Sequence, residues 1–156
     1  EYNQFIELIY NRVQFFNMTV FFILFFISGY VFYGALFASI GATMGSESDG
    51  QQFIIPLIFL LLFALFSGYY VLSYPESPLG DILHYFPFTS PVVVMVKLSQ
   101  GYYGPGHVYE IYLTLIVLII SSMIMLAIAS RLYKNGILQF GHRVRLKHLF
   151  KWLAKS

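Results

Sequence analysis

The class of fold follows from residues 13–46, which read VQFFNMTVFFILFFISGYVFYGALFASIGATMGS. These 34 consecutive residues include no charged side chain. A helix that crosses the ~30 Å hydrocarbon core of a bilayer needs about 20 apolar residues, each adding ~1.5 Å. The stretch therefore predicts a membrane-spanning helix, which we place at residues 16–43.

Two more uncharged stretches follow, one of 26 residues between Asp49 and Glu76 and one of 20 between Glu110 and Arg131. They predict spanning helices at residues 53–72 and 111–130. The composition agrees, since 58% of the residues are hydrophobic and 10% are charged, against about 25% charged in soluble domains. We therefore predict an all-α integral membrane protein with three transmembrane helices and no nucleic-acid partner.

The segment 77–101 has the local signals of a short helical hairpin. Ser77 is a good N-cap and Pro78 suits the first position of a helix, which Pro87 would then end. Each helix of the hairpin would be too short to cross a bilayer. We expect the pair to enter the membrane and return on the same side.

The second helix of the hairpin is predicted from the same pattern, in which Ser90 precedes Pro91 and Gly101 closes the helix. The alternative for this segment is a surface loop with a strand at residues 92–96. Backbone at membrane depth must be buried in protein or hydrated in a cavity. The hairpin interpretation therefore also predicts close packing around it.

The distribution of positive charge predicts the orientation. Seven of the nine Lys and Arg residues lie from Arg131 onward, and cytoplasmic loops carry the excess of these residues. The tail 131–156 is therefore predicted to be cytoplasmic, and the hairpin and the N-terminus to lie outside. Basic residues that include Arg143 and Lys147 alternate with apolar ones, which predicts an amphipathic C-terminal helix on membrane lipid, or alternatively on a cytoplasmic partner.

Catalytic signatures are lacking in the sequence. None of the three predicted spans contains Asp, Glu, Lys, Arg or His, which argues against a self-contained proton-coupled pump. No phosphate-binding GxxxxGK[ST] loop, HExxH or GxSxG motif occurs, and the absence of Cys excludes thiolate metal sites. We predict neither an enzyme active site nor a cofactor bound by this chain.

Two acid–histidine pairs, Asp81 with His84 and His107 with Glu110, are each separated by three residues. That spacing places both members of a pair on one helix face, where four such ligands would suit a metal ion. The other interpretation is that Asp81 complements a helix N-terminus and that the rest are interface residues. We favour the second interpretation and predict no metal site.

Small residues mark one half of the first span. Gly34, Ala38, Gly41 and Gly45 belong to a run of small residues at helical spacing, which lets helix backbones approach closely in membranes. We expect this face to pack against other helices, either those of this chain or those of a partner.

Several strings of the sequence, taken in order, carry a family resemblance. They are YGALFASIGA at 33–42, SESDGQQ at 46–52, PFTSP at 87–91 and RLYKNGIL at 131–138. Together they resemble the C-terminal half of ABC-2 type transporter permeases, in the branch named for sodium-efflux permeases. Permeases of that family have six spanning helices, so the three predicted here would be the fourth to sixth.

The resemblance implies an exporter subunit of the bacterial cytoplasmic membrane that pairs with a second permease half. ATP and Mg²⁺ would be bound by a separate ABC ATPase subunit. The small-residue face at Gly34, Ala38, Gly41 and Gly45 would slide against other helices of the permease during gating. The residues that would face this ATPase are Glu47, Asp49, Gln51, Arg143 and Lys147. The hairpin residues that would cap the pathway from outside are Pro78, Pro87, Ser90 and Pro91. The alternative function is a non-transporting accessory subunit that anchors a larger complex.

Overall fold

The computed structural model describes residues 2–13, 15–44, 47–102 and 106–137, and all regular elements among them are α-helices. The helices are α1 (Tyr2–Val13), α2 (Phe15–Gly41), α3 (Glu47–Ser73), α4 (Pro78–Tyr85), α5 (Ser90–Ser99) and α6 (Val108–Ile137). The all-α prediction is thereby confirmed. Gly45, Arg143, Lys147 and the predicted C-terminal helix lie outside the described residues, as do the side chains of Glu47, Asp49 and Gln51.

Three of these helices are long and apolar enough to cross a membrane, over Phe16–Gly41, Gln52–Ser73 and Val108–Lys134. Many of their large apolar side chains are exposed on the surface of the chain. In water such a surface would be unfavourable, whereas lipid solvates it without cost. Three spanning helices therefore agree with the prediction from the uncharged stretches.

Helix α3 begins at Glu47, six residues before the predicted span at residues 53–72. It also continues through Pro56, which lies inside the helix rather than at its first turn. A proline there removes one backbone hydrogen bond. Spanning helices tolerate such a residue because local adjustments and neighbouring groups satisfy the freed carbonyl.

Helix α1 is an element that the sequence analysis did not predict. Its apolar residues Tyr2, Phe5 and Ile6 are all exposed and recur at helical spacing. This i, i+3, i+4 pattern is the signal that predicts an amphipathic helix. It escaped notice because the first uncharged stretch begins only after Arg12.

The most extensive contact between helices joins α2 to α6. Their buried apolar residues form one core with two residues of α5. The members of this core are Phe21, Phe25, Phe32, Val94, Leu98, Ile111, Leu115 and Leu118. The hydroxyl of Ser122 donates a hydrogen bond across the interface to the carbonyl of Ser28 at 2.9 Å, and also to Leu118 of its own helix at 2.7 Å. We treat α2 and α6 as one packed pair.

Helix α3 packs mainly on α5 and less on α4. Within the described residues it makes no contact of comparable extent with α2 or α6. The two short helices therefore lie between α3 and the α2–α6 pair.

Candidate functional site

The hairpin forms as its local signals predict. The Ser77 hydroxyl accepts a hydrogen bond from the backbone N–H of Gly80 at 3.0 Å, and Pro78 is the first residue of α4. Helix α4 ends before Pro87, and Gly101 adopts a φ of 81° shortly after α5. The alternative of a strand at residues 92–96 is wrong, because that segment is helical.

The bend between the two helices differs from expectation in its capping. Thr89, not Ser90, precedes the first residue of α5, and its side chain does not cap that helix. Its hydroxyl instead donates to the carbonyls of Leu83 at 2.5 Å and Phe86 at 3.2 Å. Thr89 and Ser90 are both fully buried. The carbonyl of Phe86 also accepts from the backbone N–H groups of Thr89 and Ser90, so the hydroxyl matters most for the carbonyl of Leu83, to which Pro87 has no N–H to donate.

The bend lies deep among the spanning helices. An ideal β-carbon on Gly29, about halfway along α2, would lie 3.1 Å from Cγ of Pro91. The hydroxyl of Tyr33 donates a hydrogen bond to the carbonyl of Phe88 in the bend. Irregular backbone at membrane depth requires such partners from the surrounding protein. The structure supplies them from α2.

A cleft of about 480 Å³ separates α2 from α3, with α5 at its back. Helix α2 supplies most of the lining, Leu61 belongs to α3, and α5 contributes Pro91, Val92 and Met95. The lining is almost entirely apolar and aromatic. Such a cleft suits apolar groups and offers no charged anchor.

The small residues of α2 lie on two faces of the helix, one exposed and one buried within this chain. Gly34 lines the cleft, and Gly34, Ala38 and Gly41 are all exposed within this chain. Neither Gly34 nor Gly41 has another residue within 4 Å of an added β-carbon. The small residues that pack inside the chain are instead Ala35 and Ser39, so packing of the exposed face on other helices stays a prediction.

A polar cluster joins the hairpin to the start of α6. We define it as Asp81, His84, Lys97, Tyr102, His107 and Glu110. Its centre is Lys97 of α5, whose side chain is only 1% exposed. The Nζ atom of Lys97 lies 3.2 Å from Oδ1 of Asp81 and 4.8 Å from the centroid of the Tyr102 ring. The lysine thus has one carboxylate and one aromatic face as its partners among the described residues.

Glu110, in the first turn of α6, accepts two phenolic hydrogen bonds. Tyr102 donates to Oε2 at 2.9 Å and Tyr109 donates to Oε1 at 3.2 Å. The Nδ1 atom of His107 lies 3.6 Å from Oε2, and its ring stacks on Tyr102 with centroids 4.1 Å apart. The turn after α5 is therefore held on α6 by one carboxylate.

His84 is the buried, neutral member of the cluster. Burial and the positive charge of Lys97 lower the pKa of His84 to about 4, although Glu110 and Asp81 act in the opposite direction. Neither ring nitrogen makes a hydrogen bond to the part of the chain that the structure describes. Burial, together with the hydrogen bond to Glu110, raises the pKa of Tyr102.

The two acid–histidine pairs do meet in space, though not around a metal ion. Among the described residues, no three His, Asp or Glu side chains are placed to hold one. The residue that the sequence analysis missed is Lys97, one of the two basic residues that precede Arg131. The available signal was a lone cation in the apolar run 91–98, which is unusual because buried lysines are rare unless paired.

Comparison with known proteins decides the family. A family model described as "ABC-2 family transporter protein" matches residues 5–131, which is most of the chain. The chain belongs to the ABC-2 transporter family. This match confirms the resemblance at the level of the family and does not separate out the sodium-efflux branch. ABC-2 proteins of this kind are membrane components of transporters, normally work with an ABC ATPase subunit and generally lack a catalytic site of their own.

Two relatives are similar over most of this ABC-2 chain. One is the uncharacterized protein MJ1024 of Methanocaldococcus jannaschii, 26% identical over 139 residues, which are 89% of this chain and 34% of the relative. The other is the uncharacterized protein YhaP of Bacillus subtilis, 24% identical over 132 residues, which are 80% of this chain and 29% of the relative. The chain thus spans about a third of the length of these relatives. No solved structure matches it.

Proposed function

We propose that this chain forms part of the substrate pathway of an ABC-2 exporter, whose transport is driven by ATP hydrolysis on a separate ATPase subunit. The observation that carries the proposal is the apolar cleft between α2 and α3, closed at its back by the α5 helix. A cleft bounded by elements that barely touch one another can widen without breaking a large interface. Membership of the ABC-2 family supports a separate ATPase as the source of energy.

In this proposal the hairpin lies on the outer side of the membrane and caps the pathway there. Pro78, Pro87, Ser90 and Pro91 shape the cap, since they start, stop and bend its helices. Lys and Arg in the tail favour a cytoplasmic C-terminus.

In the same proposal a second surface faces the ATPase on the cytoplasmic side. It comprises Glu47, Asp49, Gln51, Arg143 and Lys147. Charged groups suit a contact with a water-exposed subunit better than contact with lipid. The exposed face at Gly34, Ala38 and Gly41, with Gly45 beyond it, would pack on the other helices of the permease or on its second half.

The direct test is purification of the native protein in mild detergent, followed by intact-mass measurement and identification of the chains bound to it. We expect a polypeptide well above the 18.0 kDa of this sequence, with an ABC ATPase attached. A polypeptide of 18.0 kDa without an ATPase would contradict the proposal and favour the accessory-subunit function.

A charge-reversal pair locates the ATPase contact. Glu47→Lys with Asp49→Lys should reduce the amount of ATPase that co-purifies, because these acids would face the partner. The matched control is Glu76→Lys, an acid that follows the other end of α3. Equal loss of ATPase in both variants would contradict the assigned surface.

A further inference from the structure

The hairpin connects two bodies that have little other contact. One body is the α2–α6 pair with its shared core, and the other is α3. Between them, within the described residues, the α5 helix makes the larger contacts. Any displacement of α3 relative to the α2–α6 pair must therefore be accommodated at a surface of α5.

On its α3 side, α5 is interlocked. Val92 Cγ1 lies 2.7 Å from where a β-carbon of Gly68 would be, so the two backbones approach closely. At the other end of α5, the side-chain amide of Gln100 donates to the carbonyl of Leu72 at 2.7 Å. Val93 is fully buried beside Val71 of α3. These interlocking contacts favour movement of the hairpin together with α3.

On its α2–α6 side, the hairpin is held in three ways. At the bend, Pro91 packs against Gly29 of α2, and the carbonyl of Phe88 accepts a hydrogen bond from Tyr33, so these contacts must also give way when the hairpin moves.

Val94 and Leu98 belong to the apolar core, and such contacts are non-directional. The directional contacts at the far end form a chain from Asp81 of α4 through Lys97 of α5 and Tyr102 to Glu110 of α6. Because hydrogen bonds and ion pairs have defined geometry, these contacts favour one position of the hairpin on α6.

The two side chains of the ion pair differ in their exposure to solvent. The side chain of Lys97 is 1% exposed, whereas that of Asp81 is 58% exposed. A buried charge that loses its partner is strongly unfavourable, while replacement of both partners by neutral groups is often tolerated. The Asp81–Lys97 pair lies within the hairpin and holds Lys97 in place, whereas the hydrogen bond that must break for the hairpin to leave α6 is the one between Tyr102 and Glu110.

We propose that Asp81, Lys97, Tyr102 and Glu110 form a polar latch that fastens the α4–α5 hairpin to α6, and that the hairpin leaves α6 together with α3 when this latch opens. The role of that movement in transport rests on the proposed function. Opening of the latch changes the position of the hairpin, which can be measured as a distance without measuring transport.

The test uses the full-length protein in lipid nanodiscs with spin labels on cysteines placed at Leu79 of α4 and Met123 of α6, both exposed. Tyr102→Phe removes the hydrogen bond between the turn and α6 and should lengthen and broaden the measured distance distribution. Tyr109→Phe is the matched control. It removes the other phenolic donor to Glu110. Because Tyr109 and Glu110 both belong to α6, the distance between the labels should not change.

A charge cycle tests the role of Lys97. Asp81→Asn should lengthen the same distance more than Tyr102→Phe does, because it leaves the lysine buried without a carboxylate. Adding Lys97→Met to Asp81→Asn should restore the distribution toward that of the unmodified protein, since no buried charge remains. A distance between labels at Phe26 of α2 and Met123 of α6 should stay constant in every variant.

The latch would be overturned if Tyr102→Phe and Asp81→Asn left the distance unchanged, or if the double variant stayed as displaced as Asp81→Asn alone. A change in the α2–α6 distance would also overturn it, because the effect would then be general loss of packing. These distances are measured without ATPase. Failure of the latch therefore leaves the transport proposal standing, and an absent ATPase leaves the latch standing.

Discussion

An ideal β-carbon on Gly68 would lie 2.7 Å from Cγ1 of Val92, so α3 and α5 meet at a point where only glycine fits. The contact joins the helix that borders the cleft to the helix that forms its back. It explains how α3 stays attached to the bundle although it has little contact with α2 or α6.

Gly68→Ala should therefore destabilise the protein, because the added methyl group overlaps a stiff β-branched side chain. We expect a loss of about 1–3 kcal/mol, as is usual for overpacking. Thermal unfolding in detergent measures it, with Gly41→Ala as the control that has open space at the β-carbon. Rescue by adding Val92→Ala would attribute the loss to this contact, and equal stability of the two single variants would contradict it.

Removal of the Tyr33 hydroxyl should also weaken the hairpin. Tyr33→Phe leaves the carbonyl of Phe88 in the buried bend without its side-chain donor, which costs about 1–3 kcal/mol. The midpoint of thermal unfolding should fall accordingly. Tyr30→Phe, at an exposed position one turn earlier, should have almost no effect. A similar midpoint shift in the two variants would argue against a specific role of this hydrogen bond.

The cleft can be filled from α2 without disturbing the core. Gly34 lines the cleft and has nothing within 4 Å of an added β-carbon, so Gly34→Phe should leave the packing within this chain intact. Closing the cleft over the ring would cost about 1–3 kcal/mol of overpacking, which corresponds to a rate lowered by about 5- to 150-fold. ATP hydrolysis by the reconstituted complex reports this, with Ala127→Phe on the exposed side of α6 as control. An unaffected rate in Gly34→Phe would count against a role of the cleft in turnover.

The depressed pKa of His84 predicts that stability falls as the pH is lowered. Its pKa is about 4 in the folded protein and 6.5 in its ordinary state, so the unfolded chain binds more protons between these values. Stability is fully present above pH 6.5 and is lost progressively toward pH 4. We expect a loss of about 2 kcal/mol between pH 7 and pH 5 from this residue.

His84→Leu tests this prediction, since leucine keeps the buried volume and carries no proton. The variant should have a flatter dependence of unfolding temperature on pH than the unmodified protein. Identical pH dependence of the two proteins would show that His84 does not become charged on unfolding in this range.

Local sequence signals were sufficient for the helices of the hairpin. Ser77 and Pro78 begin one helix and Gly101 follows the end of the other, because capping and the restricted φ of proline act within a few residues. They were insufficient for the bend, where Thr89 donates to carbonyls of the preceding helix. That role depends on burial, which the neighbouring residues alone do not reveal.

The candidate site was predictable only in part. Asp81, His84, His107 and Glu110 stood out by their spacing, but spacing within a helix does not tell which residue comes between two such pairs. Lys97 does so in the structure, and its burial beside Asp81 follows from the way α5 enters the bundle. A cation in a short apolar run was the one hint of this arrangement.

The sequence by itself determined that the chain is a membrane protein of three long apolar helices with a capped helical hairpin, because hydrophobic length and helix capping are local properties of the chain. The tertiary structure decided which faces of α2 are buried, that α3 is attached through the hairpin, and that Lys97 lies between Asp81 and Tyr102. These features depend on contacts between residues far apart in the sequence, and such contacts are fixed only when the helices pack together.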